Sequence, residues 1–219
     1  MATGKPQTFR IPLVLLAAAN LAALGILLWP GKQAMSLPVG GTAAIDPAVS
    51  LLGYMGALYW IGGGIEEPTR KALSGGAMLG FAAGLLLAAQ VVLGVRQGGE
   101  AGFLRPILVA GAVILWGVAG LRASRQAGSS GTGALAGLWS AMTSGLIACM
   151  AVLTELHLAG PAQNSADTWK QYQGLAIGNA ATQGLVDALN MATAYLLVGP
   201  LAGAAAGLLF GYFGQRRKG

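Results

Sequence analysis

The sequence predicts an all-α integral membrane protein: a bundle of six transmembrane helices with both termini cytoplasmic. Three observations carry this expectation. Charged residues make up 9% of the chain, whereas a soluble domain carries about a quarter. The apolar residues, 55% of the total, fall in six runs, each close to the roughly 20 residues that cross a hydrocarbon core. Basic residues collect at alternate ends of those runs, as the positive-inside bias requires. A water-soluble enzyme and a disordered chain are excluded on composition. A collagen-like chain is excluded because the 36 glycines follow no Gly-X-Y period.

The first span covers 11–29 and is closed by Trp29-Pro30-Gly31. The positive segment before it resembles a signal peptide. The run is long for one, and no small-x-small site follows, so it is expected to remain as an uncleaved span. The second span covers 48–65 and ends in a glycine run, with Glu66 and Glu67 beyond it in a solvated loop beside Arg70 and Lys71. The third covers 72–95, and Asn20 in the first span and Gln90 in the third are expected to bond neighbouring helices. The fourth covers 103–121, with Arg105 near one end and able to snorkel. A Gly/Ser-rich linker, 122–132, is expected to be mobile before the fifth span, 133–156. The outer loop 157–187 carries turn signals at Gly160-Pro161, and an amphipathic surface helix is expected over 168–187. The sixth span covers 188–213, with Gly199-Pro200 predicting a kink or break.

Threaded this way, nine of the 13 lysines and arginines are cytoplasmic. Lys32, Arg96, Arg105 and Lys170 are outside. Five spans would place Arg216, Arg217 and Lys218 outside, against the bias. Trp29, Trp60, Trp139 and Tyr212 fall near span ends as an interfacial belt. Gly80-Phe81-Ala82-Ala83-Gly84-Leu85-Leu86 is matched by Gly203-Ala204-Ala205-Ala206-Gly207-Leu208-Leu209, and Arg10-Ile11-Pro12 by Arg105-Pro106-Ile107. Spans 1–3 and 4–6 therefore suggest a weak 3+3 inverted repeat, an arrangement found in transporters. The second and fifth spans show no such match.

One polar stripe stands out. Asn179, Gln183, Asp187 and Asn190 are spaced four, four and three, with Thr193 three further on. On a helix they share a face. A carboxylate at membrane depth costs a few kcal/mol on insertion scales and must face a cavity, a partner or water. The stripe is a candidate solute groove with Asp187 as its charged anchor, or the wet face of a surface helix. Glu155 follows Ser140 and Ser144 on one face of the fifth span and joins this candidate set. His157 is about 200° away from it and cannot share that face. Gly80, Gly84, Gly203 and Gly207 form small-xxx-small faces for close helix packing, within the chain or against a second copy or another membrane subunit.

The absences point the same way. The chain has one cysteine, Cys149, and one histidine, so no multi-residue thiolate or histidine metal centre is expected. There is no phosphate-binding lysine motif, no His-Glu-x-x-His and no basic patch interleaved with aromatics. Neither enzyme activity, nor a cofactor, nor nucleic-acid binding is expected. The partner expected is the lipid bilayer, in the cell membrane and most naturally a bacterial cytoplasmic one. Two functional expectations follow. One is a small-solute permease or the membrane-embedded binding subunit of one. The other is a non-transporting scaffold or accessory subunit that uses its glycine faces to hold other membrane proteins.

Overall fold

A computed structural model describes residues 10–28, 38–60, 67–97, 102–159 and 180–215. The described residues are all-α, with six helices: α1 (Arg10–Leu28), α2 (Pro38–Trp60), α3 (Glu67–Gln97), α4 (Leu104–Ala127), α5 (Ser130–Ala159) and α6 (Ala180–Gln215). Four of them are long and apolar enough to cross a membrane: Thr69–Val95, Leu104–Ala127, Ser130–Leu158 and Gly184–Gln215. Ile11–Leu27 is a shorter apolar helix. Asn179 and residues 168–179 of the expected surface helix lie outside the described residues. Residues 180–187 form the start of α6 without a break.

α5 is the centre. Over an 18-residue apolar stretch of each span, 72% of residues are buried in α5, against 33% in α3, 28% in α4 and 33% in α6. It packs most extensively on α6 and α3, and also on α4 and α1. The reason lies in its side chains. A helix surrounded by other helices needs small residues, because lipid exerts no hydrophobic drive between spans and association depends on close packing. α5 supplies Gly133, Gly137, Ser140, Ala141, Ser144 and Gly145, all buried. The outer helices instead turn large apolar side chains outward, among them Leu15, Met78, Phe81, Ile107, Leu201 and Leu209.

The glycine faces fix how neighbours meet. A Cβ on Gly76 of α3 would lie 2.9 Å from the Ala136 carbonyl oxygen of α5. One on Gly80 would collide with the Ser140 carbonyl, and one on Gly84 would lie 3.1 Å from the Ser144 Cα. Contacts advance together along both helices, so α3 and α5 are parallel. On the other side, Gly145 faces Tyr195, Gly137 faces Gly203 and Gly133 faces Gly207. Here one number rises as the other falls, so α5 and α6 are antiparallel. α4 closes this seam through Gly120 against Gly207, with Ser124 lying against Gly133 and Gly211. All four predicted packing glycines are thus in contact inside the fold.

The connection between α4 and α5 differs from the expected mobile linker. Only Gly128 and Ser129 stand outside the two helices. Gly128 adopts φ 69° and its N–H bonds the Ser124 carbonyl at 2.8 Å, a left-handed helix end that glycine takes at no steric cost. Gln215 Nε2 at the end of α6 donates to the Gly128 carbonyl at 3.0 Å. The Gly and Ser residues of this stretch are drawn into helices because the crossing of α4, α5 and α6 needs residues that small. α6 likewise continues through Pro200.

Candidate functional site

The registers just described place the C-terminal ends of α3 and α5 with the N-terminal ends of α4 and α6. Gly94 of α3 meets Arg105 of α4, and Gly111 meets Leu86, so these two helices are antiparallel. Gln90, Arg105, Glu155, Asp187, Asn190 and Tyr195 therefore belong to one end of the bundle. The opposite end carries the crossing of Gly120, Gly133 and Gly207.

At the polar end, Arg105 folds back over α3. A Cβ on Gly94 would lie 3.2 Å from the Arg105 Cζ and Nη2. The glycine is what admits the guanidinium. The Gln90 amide is hydrogen-bonded to the Tyr195 hydroxyl. Donor and acceptor logic sets its orientation: Nε2 donates to Tyr195, and Oε1 accepts from Arg105 Nη2 and Nε at 3.3 Å each. A buried glutamine thereby links α3, α4 and α6 in one polar network. Arg105 does not simply extend to the membrane surface as snorkelling would have it. It is partly buried and turned inward.

The predicted site residues divide. Glu155 on α5 is buried, at 6% exposure, as are Ser140 and Ser144 on the same face. Asp187 is half-buried on α6, two turns before Tyr195. Asn190 is exposed on the outer surface of α6, so the polar stripe does not turn inward as a whole. Thr193 Oγ1 donates to its own helix, to the Leu189 carbonyl at 2.9 Å. Gln183 lies in the first turn of α6. Arg105 and Tyr195 were not among the expected site residues. The pairing of Gly94 with Arg105 across a short connection is the one signal in the sequence that could have indicated the first.

Deeper in the bundle, polar groups serve the helices. Trp116 Nε1 donates to Ser144 Oγ at 3.0 Å, joining α4 to α5. Ser144 Oγ donates in turn to the Ala141 carbonyl at 2.9 Å. Asn20 Nδ2 donates to the Leu16 carbonyl at 2.8 Å and to the Leu146 carbonyl at 3.1 Å, tying α1 to α5. Tyr54 Oη donates to the Leu196 carbonyl at 2.7 Å, tying α2 to α6. Asn20 and Gln90 thus both bond neighbouring helices, as expected. An apolar groove of about 200 Å³ opens between α1 and α5, lined by Ala23, Ile26, Leu27, Leu153, Thr154, His157 and Leu158. No group of three or more metal-ligating side chains occurs among the described residues. Comparison with protein-family models, with curated proteins and with solved structures returned no match.

Proposed function

We propose that this protein is a small-solute permease, or the membrane-embedded solute-binding subunit of one, working in a cell membrane. The observation that carries the reading is the gathering of Arg105, Gln90, Tyr195, Glu155 and Asp187 at one end of an otherwise apolar bundle. Ionisable groups at membrane depth are expensive to maintain and belong to pathways and sites more than to packing. In this reading the six helices all span, both termini are cytoplasmic and the polar end faces outward. The two halves are an inverted repeat whose third members, α3 and α6, both lie against α5.

The scaffold reading has less to stand on. It relied on Gly80, Gly84, Gly203 and Gly207 to hold other proteins, and these glycines lie against Ser140, Ser144, Gly137 and Gly133 of the same chain. The test is a thermal-unfolding screen of the purified protein in detergent against ions and small metabolites, wild type beside Asp187→Asn. A ligand at about a hundred times its dissociation constant adds about 2.7 kcal/mol. A shift in wild type that the variant loses is the expected result. No shift across a broad panel, with both proteins equally stable, overturns the proposal.

A further inference from the structure

Arg105 stands in the first turn of α4, partly buried, with its guanidinium held over the bare backbone of Gly94. A guanidinium has five N–H donors. Gln90 Oε1 takes one from Nε and one from Nη2. The other three point away from Gln90 or past it, toward the junction of the helices. Tyr195 accepts from the Gln90 amide in the same arrangement, so its own O–H is left to donate. Gln90 therefore holds two donors side by side, a delocalised cation and a phenolic hydroxyl, at the junction of three helices. A planar guanidinium beside a neutral O–H matches the forked acceptors of a carboxylate or phosphate. The α4 N-terminus, from which Arg105 projects, adds a favourable partial charge.

The geometry points to Arg105 and Tyr195 as an oxyanion site, the anionic end of the solute site proposed above, on which this inference rests. Its ligand carries a carboxylate or phosphate group. Gln90 is a positioning residue. The same chemistry is found on a phospholipid headgroup, so the experiment separates the two sources.

Thermal unfolding is measured in detergent with acetate and with inorganic phosphate, against chloride at equal ionic strength. Wild type is compared with Arg105→Gln, Tyr195→Phe and Asp187→Asn. Acetate or phosphate is expected to raise the wild-type Tm above chloride. Arg105→Gln loses that shift, and Tyr195→Phe weakens the apparent affinity about tenfold. An equal shift in Arg105→Gln, or none specific to oxyanions in wild type, overturns the inference. Should Arg105→Gln fail to fold, Gly94→Val crowds the guanidinium off α3 with its charge intact and must show the same loss. A shift with short-chain phosphatidylglycerol, absent with phosphatidylcholine, acetate and phosphate, overturns the solute assignment and places a lipid headgroup there. A metabolite whose shift depends on Asp187 and not on Arg105 overturns the oxyanion site alone. No shift with any solute overturns both proposals.

Discussion

Pro200 shows how one residue sets a requirement that another, far away in sequence, must meet. Its ring nitrogen carries no hydrogen, so the Leu196 carbonyl four residues earlier has no partner within α6. Tyr54, on α2, donates to that carbonyl at 2.7 Å, which is how a proline is tolerated inside a span. Tyr54→Phe leaves a buried carbonyl unanswered and is expected to destabilise by about 1–3 kcal/mol. In a Pro200→Ala background residue 200 regains its N–H, and the same substitution costs much less. Chemical unfolding of the four proteins in mixed micelles gives the coupling as a double-mutant cycle; simple additivity would refute this role for Tyr54. Asn20 is the opposite case. Its Nδ2 bonds two carbonyls, but its Oδ1, fully buried, has no partner among the described residues. Asn20→Leu removes this unsatisfied acceptor together with both Nδ2 bonds; the gain and the loss offset, and the change is expected to stay within about 1 kcal/mol in the same assay. Pro200 and Asn20 were both visible in the sequence. What answers them was not, because Tyr54 and Leu146 lie on other helices and no local pattern connects them.

At the scale of the helix, glycine spacing was informative about which faces pack and silent about against what. Gly80–Gly84 and Gly203–Gly207 were recognisable as packing faces from four-residue spacing alone. That both lie against α5 was not, because a hydropathy pattern is the same whether a span faces lipid or protein. The serines, threonine and glycines between Gly133 and Gly145 were the available sign that α5 is enclosed. The glycines now separate into two sets with opposite expectations. At Gly137 and Gly207 a Cβ would strike backbone atoms, which cannot withdraw. Alanine at either is expected to destabilise strongly, by several kcal/mol if the helices separate to admit it. At Gly25, Gly53 and Gly199 nothing lies within 4 Å, and alanine is expected to be neutral or to stabilise by about 0.5–1 kcal/mol through helix propensity. Unfolding midpoints for the five alanine variants test this directly. Damage at Gly203 or Gly207 therefore reports on the fold and does not distinguish a scaffold from a permease.

Across the whole molecule, the same contrast divides the bundle. α3 to α6 interlock through glycines at backbone distance, whereas Gly25, Gly53 and Gly56 of α1 and α2 have open space around them. The α1–α2 pair is held by apolar contacts, including Leu24, Leu51 and Leu189, and by the two side-chain bonds from Asn20 and Tyr54. Interlocked backbones must separate together, while a pair joined by side chains can leave alone, so opening is expected to begin with α1 and α2. The chain carries its own reporter. Cys149 is fully buried and follows Leu146, the α1 contact, by three residues on the same side of α5. In native detergent its thiol should resist maleimide. As the denaturing detergent fraction rises, Cys149 should label while circular dichroism still shows most of the helix content. Coincidence of labelling with helix loss would mean that the six helices open as one unit. In a Tyr54→Phe background, with α2 released from α6, labelling should begin at a lower denaturant fraction while the midpoint for the remaining helices moves less. That difference between the two midpoints measures how far the α1–α2 pair opens independently of the four-helix core.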